Sequence, residues 1–207
     1  MEPSAAAEHL QVIRTLMERS ALYRRTLAPI MLYLGAIGSL ACLGGLAFEI
    51  DTLAGFYAWW LTAAVLGLAG AFLIVRRQAM RDGEPFWSPP TLRVTEAMAP
   101  PLAAGLVLSL ALPMFDAAPP RGLFVLANAL FYGCAVHAAG FFMPRGMKLF
   151  GWIVILLSLV GSAGLAVLEP AFSGSHLAHG VMGCVFGLLH LAYGAYLYAT
   201  ERRGATA

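Results

Sequence analysis

The chain reads as an all-α membrane protein, a six-transmembrane-helix bundle with both termini in the cytoplasm and an amphipathic helix ahead of the first span. Three observations predict this. Six apolar runs, at 27–48, 53–75, 98–115, 123–143, 149–168 and 177–200, are each about 18–24 residues long, the length that crosses roughly 30 Å of hydrocarbon. The chain is 60% hydrophobic and only 12% charged, about half the charge of a soluble domain. The basic residues also fall on one side. Arg14, Arg19, Arg24 and Arg25 precede the first run. Arg76, Arg77, Arg81 and Arg93 lie between the second and third, Arg145 and Lys148 between the fourth and fifth, and Arg202 and Arg203 after the sixth. The other three connections hold Arg121 with Glu49, Asp51, Asp116 and Glu169. The positive-inside rule then predicts an N-in/C-in protein of a bacterial-type inner (plasma) membrane, multi-pass.

Three units follow: an amphipathic cytoplasmic or interfacial helix over 1–26, the membrane domain over 27–200 and a short cytoplasmic tail over 201–207. In the first, Leu10, Ile13, Met17 and Ala21 form one stripe, while Glu8, Gln11, Thr15 and Glu18 form another; such a helix suits the membrane interface. The first apolar run is too long for the h-region of a cleaved signal and is expected to stay as an anchor.

The connections define the element ends. Glu49-Ile50-Asp51 is nearly a bare turn, and Asp51 or Thr52 is placed to cap the second helix. Gly83 is expected to end that helix, and Pro85, Pro89 and Pro90 to keep the rest of the 76–91 loop extended. Phe86 and Trp87 between them read as an interfacial anchor. In the third run Pro100-Pro101 remove two backbone donors, which predicts a kink or break with Glu96 one turn before it. Glu96 is read either as the mouth of a cavity or as a solvated residue of an interfacial helix that precedes the span. Met143-Pro144-Arg145-Gly146 is a tight turn, and residues 169–175 form an outer loop. Cys42, Cys134 and Cys184 all lie inside runs; an odd number without a C-x-x-C spacing predicts small packing residues, not a disulfide framework or zinc site.

Ionisable groups inside spans are costly, so His137, His176, His179 and His190 are weighed as sites. At 100° per residue His179, Gly183, Gly187, His190 and Gly194 form one stripe, and His137 sits on a comparable one with Gly133 and Gly140. Three readings compete. In the first, the glycines let helices approach closely and each histidine bonds a neighbour, with Asn128, Tyr132 and Tyr193 as candidate partners. In the second, His137 and His190 hold one haem b. The thirteen residues between His176 and His190 resemble the spacing in haem-binding helices of the cytochrome b family, which implies two imidazoles on nearly one face, ~21 Å apart. In the third, His176 and His179 with Glu169 form an outer-face site for Zn or Cu, or a pH switch.

No zinc-protease, P-loop, paired-carboxylate or voltage-sensor pattern occurs, and Gly161-Ser162-Ala163-Gly164 is not a Gly-x-Ser-Gly nucleophile motif. The basic residues hug the membrane boundary, so no nucleic-acid partner is expected. The leading expectation is a non-enzymatic protein that binds a small or hydrophobic ligand as a sensor, transporter or channel subunit, with no cofactor. A haem redox module and a structural subunit of a larger complex are the alternatives. Membrane lipid, a second copy of the chain in a homo-oligomer and a cytoplasmic protein partner are the expected contacts.

Overall fold

The computed structural model describes residues 27–83, 85–111, 114, 121–143, 145–172 and 174–205; within the helices, the side chains of 90, 145, 165–172 and 201–205 lie outside the description. The amphipathic helix expected over 1–26 falls outside it too. The described chain is 90% helix, with no strand among its residues. The helices are α1 (Leu27–Ala47), α2 (Leu53–Arg81), α3 (Pro89–Ala111), α4 (Arg121–Ala139), α5 (Arg145–Phe172), α6 (Ser175–Met182) and α7 (Leu189–Ala205). A π-helical stretch, Gly183–Leu188, joins α6 to α7 without a break, so the two form one sixth span, Ser175–Thr200. Six helices are therefore long and apolar enough to cross a membrane.

The caps follow local chemistry. Thr52 Oγ1 accepts the Gly55 amide at 3.1 Å and starts α2. At the other end Asp82 N–H reaches Gln78 O, and Gly83 takes φ +64°, the left-handed conformation that a helix terminus favours in glycine. The helix α3 departs from expectation at its start. It begins at Pro89, where a missing N–H costs nothing, so those prolines start a helix instead of extending a loop. It then continues through Pro100 and Pro101 without interruption. The carbonyls that lose their donors are those of Glu96 and Ala97, in a turn whose Arg93 and Glu96 are exposed to solvent. The stretch over 169–175 differs as well: α5 runs on to Phe172, so Glu169 belongs to a helix and only two residues separate α5 from α6.

Glycines set the packing. The helix α1 runs antiparallel to the sixth span, and backbone meets backbone along the contact. A Cβ on Gly38 would lie 2.3 Å from Phe186 O; one on Gly187, 2.9 Å from Ser39 N; one on Gly194, 2.9 Å from Leu32 N. The same logic joins α4 to α5, where Gly151 abuts His137 N and Gly140 abuts Lys148 N. The helix α2 rests on α1 through Gly67 against Leu34, and Tyr33 Oη donates to Leu66 O at 2.9 Å. The helix α3 packs on α4. The helix α4 is the most enclosed span, half of it buried, because α3, α5 and α6 all lean on it. Tyr57 of α2 also stacks on its Phe124, ring centroids 4.4 Å apart. Elsewhere large apolar side chains face outward, among them Leu40, Leu68, Val107, Leu149 and Val160, as a lipid-facing surface requires.

Candidate functional site

The sixth span holds two buried polar knots, built on His179 and His190; each ring is 1% exposed. Phe56 (0% exposed) and Val154 (0% exposed) line their surroundings, so every polar atom there must find a partner within the protein.

The first knot closes the end of the bundle that carries the α1–α2 turn. Trp60 Nε1–H donates to His179 Nδ1 at 3.0 Å. An indole has no acceptor, so Nδ1 is bare and the ring proton sits on Nε2. That proton points to Ile50 O, 3.3 Å away. Ser175 Oγ donates to the Asp51 carboxylate, and Arg121 donates to Asp51 O. Together these bonds tie the α1–α2 turn to the starts of α4 and α6. Gly45 makes the ring position possible, since a Cβ there would lie 2.3 Å from His179 Cε1.

The second knot lies past the π-helical stretch. His190 Nδ1 is 3.0 Å from Val185 O. A carbonyl only accepts, so here Nδ1 carries the proton and Nε2 is bare. The Tyr132 hydroxyl donates to that Nε2 at 2.6 Å. The two histidines therefore hold opposite tautomers, each dictated by a neighbour with no choice of role. Phe150, Phe186 and Tyr132 surround the His190 ring at centroid distances of 5.0, 6.2 and 5.3 Å. Tyr193 stacks on Phe150 at 5.0 Å. Its hydroxyl is buried against Gly146 without a hydrogen-bond partner among the described residues.

The π winding explains why His190 leaves the glycine stripe. His179, Gly183, Gly187 and Gly194 all face α1, through Gly45, Cys42, Ser39 and Leu32. His190 faces α4 and α5 instead. One wide turn adds a residue to the winding, so a count at 100° per residue fails across it.

The remaining sequence candidates scatter. Asn128 joins α3 to α4: its Oδ1 lies 3.0 Å from Ser109 Oγ, and its Nδ2 donates to Phe124 O at 2.9 Å. His137 lies half-buried at the end of α4, between Phe141 and Trp152, with Nδ1 3.5 Å from Lys148 O. It shares no ring or hydrogen-bond partner with His190 among the described contacts. In this arrangement the two do not fit a shared macrocycle. Tyr132 occupies Nε2 of His190, and the flanking Gly133 and Gly140 are filled by Ile155 and Lys148. His176 is exposed while His179 is enclosed with both ring nitrogens engaged; the side chain of Glu169 lies outside the described residues. Among the described residues no three His, Cys, Asp or Glu side chains are grouped to hold a metal ion. Glu96 is exposed on α3, away from both knots.

Sequence reasoning missed Trp60, Ser175 and Ser109 as partners. The only signal for them was a polar or indole group at a helix position otherwise apolar. The chain matches no family model, no curated protein and no solved structure with which it was compared, so its site is read from its own geometry.

Proposed function

We propose that this is a non-enzymatic inner-membrane protein, N-in and C-in, that binds a small hydrophobic ligand carrying a hydrogen-bond acceptor, in the manner of a sensor or transporter subunit. The observation that carries the reading is the π-helical stretch that turns His190 away from the α1 contact and into the aromatic cluster of Tyr132, Phe150, Phe186 and Tyr193. A π turn inside a span often marks a functional position, and an ionisable group deep in a span is costly and so points to a functional role. Among the described residues the cluster also keeps one hydroxyl, that of Tyr193, without a hydrogen-bond partner. An apolar site with few polar groups is the usual form of a small-molecule site. The basic cytoplasmic loops would suit a protein partner on that side, and the glycine faces a second copy of the chain; neither partner is needed for the ligand to bind.

The test is a thermal-shift series on the purified protein in mild detergent, with quinones, fatty acids, sterols and aromatic amides as probes. A compound that raises the melting temperature of the wild type, and fails to do so in both Tyr193→Phe and His190→Phe, supports the reading. Shifts that survive in both variants place the ligand elsewhere and sink it. The same sample is scanned in the visible before and after dithionite. A Soret band lost in His190→Ala would replace the ligand reading with the haem one.

A further inference from the structure

A second chemistry lies where α1 meets the π-helical stretch. The glycine contact leaves no space between them: a Cβ on Gly183 would sit 2.5 Å from Cys42 Sγ and 2.6 Å from Cys42 Cβ. The next residue is Cys184, whose Cα is fixed 3.8 Å from that of Gly183 by the trans peptide. Both are free thiols; Cys42 is half-buried and Cys184 is exposed. The third cysteine, Cys134, is on α4 and takes no part in this contact. A disulfide needs Cα atoms within about 7 Å and Cβ atoms near 4 Å, and a glycine-mediated helix contact is one of the few places where two spans come so close.

We propose that Cys42 and Cys184 are a redox pair that closes into a disulfide when it meets a lipid-soluble quinone, stapling α1 to the π-helical stretch beside His190. In the step two S–H bonds break and one S–S bond forms. The two electrons and two protons pass to the quinone, whose two carbonyl oxygens become the hydroxyls of a quinol. Both thiols lie within apolar spans, where a quinone dissolves and a charged soluble thiol such as glutathione does not. The oxidant therefore reaches the pair more readily than the usual cytoplasmic reductant, which favours the closed form. The inference stands apart from the ligand site and needs no ligand there.

The experiment uses the full chain in liposomes. Wild type, Cys134→Ser, Cys42→Ser and Cys184→Ser are treated with a short-chain benzoquinone, denatured and labelled with a maleimide mass tag. In wild type two of the three cysteines should lose their tags, with a mass about 2 Da lower in the untagged chain. Peptide mapping should join the Cys42 and Cys184 fragments, dithiothreitol should restore both tags, and Cys134→Ser should behave in the same way. Cys42→Ser and Cys184→Ser should each keep every remaining tag. Full tagging of wild type after quinone overturns the proposal. So does a mass gain from a quinone adduct on one thiol, or a cross-link that joins two chains or involves Cys134. Because the readout is covalent, it does not depend on any variant retaining function.

Discussion

At the residue scale the two buried histidines differ in how they are held, and the difference is testable. The partner of His179 at Nδ1 is an indole, which only donates; the partner of His190 at Nε2 is a hydroxyl, which does both. A glutamine at 179 offers a carbonyl oxygen to Trp60 and should retain most of the knot, whereas His179→Phe leaves the indole N–H without an acceptor and should destabilise clearly more. Equal melting temperatures for the two variants in detergent would show that the Trp60 bond contributes nothing. Tyr132→Phe removes one bond and leaves Nε2 of His190 bare; polar contacts between spans contribute about 0.6 to 1.7 kcal/mol, so a loss within that range is expected on unfolding in mixed micelles. A loss of zero would mean that water takes over the hydroxyl's place. The histidines themselves were legible in the sequence, because an ionisable residue in an apolar run stands out. Of their partners, Tyr132 was among the candidates and bonds His190; the others were not. Trp60 and Val185 are ordinary residues for a span and Ile50 for a short turn, and only the packed bundle brings a lone carbonyl or indole to the right nitrogen.

At the scale of the element, the sixth span shows what periodicity reads and where it stops. The stripe His179, Gly183, Gly187, Gly194 was legible, and all four face α1. His190 was placed on the same stripe and is not there, since the winding of Gly183–Leu188 is set by packing and leaves no compositional mark. A proline pair is a strong local signal, yet α3 passes through it, because the unbonded carbonyls fall in a turn that reaches solvent. Glycine substitutions separate contact from composition. Gly38→Ala and Gly187→Ala drive a methyl into backbone atoms of the facing helix and should cost about 1–3 kcal/mol each, as overpacking does. Gly180→Ala, on the same span but with open space around its Cβ, should be neutral. If the Gly180 variant is as damaged as the other two, the α1 contact is not what those glycines serve.

At the scale of the whole molecule, hydropathy gives the number of spans and charge gives a direction, but neither says which span touches which. The sequence located all six spans to within about ten residues at each end. It gave no hint that α4 would be the enclosed one, because its mean hydropathy is 1.6 against 2.0 for the far more exposed α2. In a lipid solvent the outward surface is as apolar as the interior, so burial cannot be read from apolarity. Direction is a separate question, and charge counting answers it with a sharp prediction. Eight basic residues lie in or beside the connections on the side assigned to the cytoplasm after the first span, against Arg121 alone on the other, and short connections obey this bias most strictly. A fluorescent protein fused after Ala207 should therefore fold and emit, while alkaline phosphatase inserted at Asp51 should be active. The reverse pattern would invert the molecule. It would also place the His179 knot, with Asp51 and His176 beside it, on the cytoplasmic face. A mixed result, with both reporters active, would mean that Arg121 is enough to balance the loops; Arg121→Gln should then restore a single orientation. The Arg121 side chain bonds the Asp51 carbonyl, so that variant should also loosen the α1–α2 turn, and the two effects are separable by comparing reporter activity with melting temperature.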